Sequence, residues 1–273
     1  MRCEDTFYFS FWLYYIGFVS ICARFSATRR AGRGRKVLPG GRSTRIQHGK
    51  WDDFTLGAFG KPVLVEPAGL HFNLSSGRPL SRRILTRRTF CDVAGAFDLN
   101  LSRRRFWLSR EDRHAVTEEL EAQWQRCLDN GLRPSHLDSH EQVHNIWPIG
   151  EIVARFAARQ GIPVRLARNL GQNQSLPQRV LKDLLNRRLN SLAGATADYV
   201  CTPQDLRNAA PPCDGILEIV AHPNQLGADF GDAYLDQGES LSALLEQRLP
   251  GVPRVAYGVA GNVVSSGTET VME

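Results

Sequence analysis

The chain has 273 residues, 42% of them hydrophobic, enough to fill one large core or two small ones. Its formal charge of +6 sits at one end: residues 1–50 hold ten Lys/Arg and two Asp/Glu, which leaves 24 basic and 26 acidic residues, a net −2, in the other 223. That balance excludes the body of the protein as an electrostatic partner for nucleic acid.

Residues 6–23 are apolar, aromatic-rich and uncharged, close to the roughly 18 residues a bilayer span needs, and the arginine-rich stretch follows at once. Three readings stay open for this region: sequence that is not native structure, a membrane anchor, and a functional basic arm. No small-residue cleavage site follows, which argues against a signal peptide. The six cysteines have no CxxC spacing and read as reduced and structural, in keeping with a cytoplasmic chain, anchoring being the minority reading. Composition divides the chain into an atypical N-terminal segment 1–60, a folded domain 61–262 and a tail 263–273.

From residue 61 short apolar runs alternate with amphipathic segments, the pattern of an α/β domain. Residues 63–65 and 70–74 read as strands, stopped by the turn Ser75-Ser76-Gly77-Arg78-Pro79. Ser109 with Asp112 resembles a helix cap, and Val116, Leu120, Trp124, Cys127 and Leu128 recur at helical spacing until Gly131. A short strand is expected across residues 134–140, then a helix carrying Ile152, Val153, Phe156 and Ala157 and closed by Gly161. Strands at 164–166, 199–201 and 216–221 and helices at 178–192 and 241–249 complete the alternation, which predicts a parallel sheet with right-handed crossovers.

Several histidines fall at the carboxyl ends of these strands. His71 shares a strand face with Asn73; His136, Asp138 and His140 share another, with His144 beyond; His222 ends the strand at 216–221 and is followed by Pro223. Carboxyl ends of parallel strands converge on one rim, so distant segments offer imidazoles to one point, where a metal ion would polarise a carbonyl or activate water. His71 and His140 are the candidate metal ligands. His48 and His114 read as solvated surface groups, His136 as structural.

The segments Gly69-Leu70-His71-Phe72-Asn73-Leu74, Pro134-Ser135-His136-Leu137-Asp138-Ser139-His140-Glu141-Gln142-Val143-His144 and Glu218-Ile219-Val220-Ala221-His222-Pro223 resemble, in order, three motifs of the YdjC-like carbohydrate deacetylases, a family that includes chitooligosaccharide deacetylases and a hopanoid-biosynthesis branch. The resemblance runs from about residue 67 to 258. It implies a distorted (β/α) TIM-like barrel and removal of an N-acetyl group from an amino sugar or oligosaccharide by a divalent metal, Mg2+ or Zn2+, held by two histidines and an aspartate. Carried over by position, His71 and His140 are the metal histidines, His222 a candidate general acid or orienting group, and Asp138 the residue that fixes an imidazole. Gln142 stands where the family has a histidine, and Asn224 where it has a glycine.

The family opens with a strand ending in Asn-Ala-Asp-Asp-Phe-Gly. The Asp-Asp-Phe here, Asp52-Asp53-Phe54, lies 17 residues before His71 when counted from Phe54, with Gly57, Gly60 and Pro62 between. A strand-helix-strand unit fits poorly into that span. The barrel is therefore expected to lack its first strand or to carry a divergent one, with an exposed sheet edge, and Asp53 is the candidate acidic ligand or base. Two rivals to the deacetylase stand beside it: a truncated, inactive homologue that binds sugar, and a protein that tethers to membranes or polyanions through its basic arm. An uncovered edge would also invite homo-oligomers.

Overall fold

A computed structural model describes residues 19–25, 69–171, 174–195, 197–212, 214–226, 229–252 and 254–255. In chain order these form β1 (Val19–Phe25), β2 (Leu70–Phe72), α1 (Arg82–Leu85), α2 (Arg110–Asp129), β3 (Leu137–Ser139), a 3-10 turn (His140–Asn145), α3 (Trp147–Gln160), α4 (Leu176–Ala193), β4 (Tyr199–Cys201), α5 (Pro203–Asn208), β5 (Gly215–Ala221), β6 (Pro223–Leu226), β7 (Asp229–Asp232), α6 (Leu241–Arg248) and β8 (Arg254–Val255). The protein is a mixed α/β structure.

Its centre is a row of parallel pairings. β2 lies beside β3 with His71 opposite Asp138. Leu137 then bridges to Val164, and Val164 to Ala195, and β4 lies parallel to β5. The strand expected at 164–166 is only a bridge because a side chain takes the place of a neighbouring strand: Asn186 on α4 accepts from the Ala167 N–H at 2.7 Å and donates to the Ala167 carbonyl at 2.9 Å.

The expectation of a wholly parallel sheet is corrected at one edge. β1 runs antiparallel to β5 in seven-residue register, Val19 opposite Ala221 through Phe25 opposite Gly215, and antiparallel again to β8. The edge of β5 is thereby covered by a segment far upstream in the chain. Among the described residues β2 pairs only with β3, and the strands do not close into a barrel. The strand expected at 63–65 lies outside the described residues, as do residues 6–18 of the apolar stretch; residues 19–23 of that stretch are strand rather than helix. No helix among the described residues is long and apolar enough to cross a membrane.

The helices form where the sequence signals them. The Ser109 hydroxyl accepts from the Asp112 N–H to cap α2, and Gly161, in the left-handed region at φ 68°, closes α3. Buried Leu120, Ile149, Val153, Phe156, Leu185 and Leu189 join α2, α3 and α4 to Phe72 and Leu137 in one core, each such side chain contributing about 1.5–3 kcal/mol of burial. A second cluster sets Leu206, Leu241 and Leu245 against Leu217 and Ile219 of β5. This packing fixes the strand ends that carry the site.

Candidate metal and catalytic site

Each histidine is held by a different local device. His71 is the middle residue of β2, and the chain leaving that strand is clamped by α2: buried Gln123 accepts from the Asn73 N–H at 3.0 Å and donates to the Asn73 carbonyl at 2.8 Å. Glu119, fully buried one turn earlier, accepts from the N–H groups of Leu80 and Ser81. The Asn73 side chain closes the intervening turn through Ser75, Ser76 and the Ser76 carbonyl.

His140 follows β3 directly and opens the 3-10 turn. The next two residues, Glu141 and Gln142, have φ of 48° and 55°, a left-handed conformation that costs non-glycine residues about 1–3 kcal/mol each. The turn is held by Arg103, which donates to the Gln142 carbonyl at 3.0 Å, and by Asn145, whose side-chain amide donates to Gln142 Oε1. Ser139 and buried His144 tie it from below, Ser139 Oγ standing 2.5 Å from His144 Nδ1 and accepting from its N–H.

The His71 and His140 rings come together edge to face, centroids 5.6 Å apart and planes at 76°. His71 Nδ1 lies 2.8 Å from Asp138 Oδ1. Asp138 in turn meets Arg165 Nη1 through its other oxygen at 2.5 Å, and Arg165 Nε donates to Glu218 Oε1 at 2.6 Å. Asp138, Arg165 and Glu218 are all buried, so an ionic chain crosses from β5 through the Val164 bridge and β3 to His71 on β2. Burial alone would raise the Asp138 pKa, but the Arg165 guanidinium, with His71 beside it, holds the carboxyl well below the ordinary carboxylate range. An ionised Asp138 fixes His71 with its proton on Nδ1 and directs Nε2 outward.

His222 stands at the end of β5. Its N–H donates to buried Asp232 at 2.5 Å, and its ring packs edge-on against Tyr234 at 5.0 Å. Burial lowers its pKa, and the His71 charge acts on it in the same direction. His140 is lowered by burial and by the charges of His71 and His222. The three imidazoles thus lie within electrostatic reach of one another, and His140 and His222 are biased to the neutral form, the form that binds metal. Among the described residues no group of three His, Cys, Asp or Glu side chains is placed to hold a metal ion. The donor set present suits two positions of a divalent ion, and Asp53 lies outside the described residues.

His136 and His144 do other work. His136 lies against Gly69, where a Cβ would come within 2.2 Å of its Nε2, and pairs with Ser135 Oγ at 2.9 Å. Burial drives His136 down to about 4 and His144 to about 3. Both stay neutral in the folded protein at pH values where the unfolded chain takes up a proton, so each removes stability as pH falls below about 6.5. The urea midpoint is expected to correspond to a loss of about 2 kcal/mol from each histidine between pH 7 and pH 5. A midpoint that does not move over that range would refute buried neutral imidazoles.

Arg165, Glu218, Asp232 and Tyr234 were not singled out as site residues from the sequence. Arg165 and Glu218 did carry a signal: opposite charges inside two apolar strand runs, Val164-Arg165-Leu166 and Leu217-Glu218-Ile219, are seldom buried unless paired.

This arrangement sits on a chain that belongs to the YdjC-like protein family, whose model matches residues 55–248. The match begins just after Asp52-Asp53-Phe54. Curated relatives from Salmonella paratyphi B and Salmonella typhimurium, each named chitooligosaccharide deacetylase, are 32% identical over 167 residues, 57% of this chain. The chain spans 59% of the length of those relatives. A solved structure of a proposed cellobiose-phosphate cleavage protein from Enterococcus faecalis V583 is 19% identical with a TM-score of 0.41, covering 67% of this chain and 64% of that one.

Proposed function

We propose that the protein is a metal-dependent carbohydrate deacetylase that removes the N-acetyl group of an amino sugar or oligosaccharide. The observation that carries this reading is the pairing of His71 and His140, with His71 Nδ1 on Asp138. His71 and His140 supply two ligands to a divalent ion, Mg2+ or Zn2+, and Asp53 is the candidate for the third or for the base. When bound, such an ion polarises the acetamide carbonyl and activates water. Asp138 holds the His71 tautomer. With Asp53 as the third ligand, His222, biased to the neutral form, accepts a proton as water adds to the carbonyl and returns it to the leaving amine nitrogen. The parallel row is read as an incomplete (β/α) barrel whose first strand is missing or divergent; among the described residues β2 pairs only with β3, and an edge left open there would suit self-association.

The test is metal content and acetate release from a short chitooligosaccharide, on the full chain beside Asp53→Asn. About one equivalent of metal and steady acetate release, both reduced in Asp53→Asn, would support a complete site with Asp53 in it. Activity unchanged in Asp53→Asn would remove Asp53 from the mechanism. A second reading, an inactive homologue that binds sugar, is favoured by the lack of a three-donor group among the described residues. Neither metal nor acetate from a folded chain that still binds sugar would establish it instead.

A further inference from the structure

Residues 99–108 lead into α2 and are pinned at both ends, Leu99 and Leu101 packing on the main core and Leu108 buried. Between those anchors the chain is turned by the Arg105 N–H donating to the Ser102 carbonyl at 3.0 Å and the Arg104 N–H to Ser102 Oγ at 3.2 Å. Phe106 and Trp107 nevertheless remain 56% and 62% exposed. Two adjacent large aromatics left in water on an anchored segment forgo burial that Leu108 beside them obtains.

Their neighbours show where they stand. The Phe106 ring lies 6.2 Å from that of Trp147, the half-buried first residue of α3, which is separated from the turn opened by His140 only by Ile146. Arg103, from the same segment, donates to the Gln142 carbonyl in that turn. Arg105 covers Trp107 with its guanidinium carbon 4.6 Å from the ring centroid and donates to the Trp107 carbonyl at 3.1 Å. The aromatic segment is therefore fastened to the turn that carries His140 through Arg103 and to α3 through Phe106, and it is flanked by hydrogen-bond donors.

An aromatic face beside guanidinium groups is suited to one ligand chemistry above others: a pyranose, whose axial C–H groups form an apolar face and whose equatorial hydroxyls accept hydrogen bonds from arginine. We propose that Phe106, backed by Trp147, and Trp107 form a stacking subsite for a sugar ring of an oligosaccharide beyond the ring that reaches the histidines. The subsite makes the protein selective for oligomers over the single amino sugar. This rests on the carbohydrate reading above, but its energy comes from side chains that touch neither His71 nor His140.

The experiment uses metal-stripped full-length protein and follows intrinsic tryptophan fluorescence on titration with N,N′,N″-triacetylchitotriose and with N-acetylglucosamine. Wild type should bind the trimer more tightly. Phe106→Ala and Trp107→Ala should each weaken trimer binding about tenfold while leaving the monomer affinity unchanged, and Phe106→Trp should retain it. In the metal-loaded protein the alanine variants should raise KM for the trimer and leave kcat unchanged. Trimer affinity unchanged in both alanine variants, or a wild type that binds trimer and monomer alike, would overturn the subsite. Acetate release with a KM indifferent to these residues would overturn it while leaving the deacetylase reading intact. Binding that is sensitive to them in a chain that releases no acetate would support the subsite and overturn the catalytic reading alone.

Discussion

His71→Ala and His140→Ala are each expected to abolish stoichiometric divalent-metal binding and to lower acetate release by more than a hundredfold, because even groups that only orient a metal ligand are worth about 10- to 100-fold. The two variants should differ in what they leave behind. Removing His71 strips Asp138 of its contact on one oxygen but leaves Arg165 on the other, so the buried carboxylate stays compensated and stability should change little. Removing His140 takes a ring from the start of a turn whose next two residues are in the left-handed region, while the contacts of Ser139, Arg103 and Asn145 remain. Metal content by atomic absorption, urea unfolding and acetate release together check this. A variant that keeps its metal removes that histidine from the ligand set.

Much of the framework was legible. The 20-residue helix Arg110–Asp129 begins at the predicted cap, α3 ends at the predicted glycine, and the strand Tyr199–Cys201 has the expected bounds, because cap chemistry and apolar periodicity are local. What escaped depends on distant partners. Residues 19–23 belong to an apolar span by composition, yet with Arg24 and Phe25 they pair with β5, and nothing local marks an antiparallel partner 190 or more residues away. Strand 164–166 was overstated because the amide of Asn186, not a strand, satisfies Ala167.

The site shows the same division. Motif and strand-face arguments singled out His71, Asp138 and His140, and the structure gathers all three, His71 and Asp138 opposite each other in the middle of β2 and β3 and His140 just beyond β3. The fixing of Asp138 by Arg165, and of Arg165 by Glu218, links β3, the Val164 bridge and β5; the lone charge in each apolar run signals a buried pair, but nothing local says which charges meet. His222 lies within electrostatic reach of the other two imidazoles, but its anchor, Asp232, comes from the hairpin beyond it, so sequence spacing could not foresee what holds it.

Arg165→Met is expected to be the most damaging single change to stability, costing about 3–5 kcal/mol, because it leaves Asp138 and Glu218 as two buried carboxylates without their shared cation. Glu218→Gln should cost less, since Arg165 keeps Asp138. The sign of the pH dependence separates this cause from simple loss of packing. In the wild type the Asp138 carboxyl is held low, so its stabilisation is present above its unfolded value and is lost only as pH falls through the depressed folded one. Without Arg165 the dominant effect on Asp138 is burial, which raises the carboxyl pKa. The folded variant then takes up a proton that the unfolded chain does not, and its stability deficit shrinks as pH drops from 7 towards 5. The double variant Arg165→Met, Glu218→Gln should recover part of the loss at pH 7, since one of the two stranded charges is gone. Urea unfolding of the four proteins at both pH values measures this. A deficit equal at pH 7 and pH 5, with no recovery in the double variant, would mean that Arg165 acts by filling space and that Asp138 is held to His71 without it.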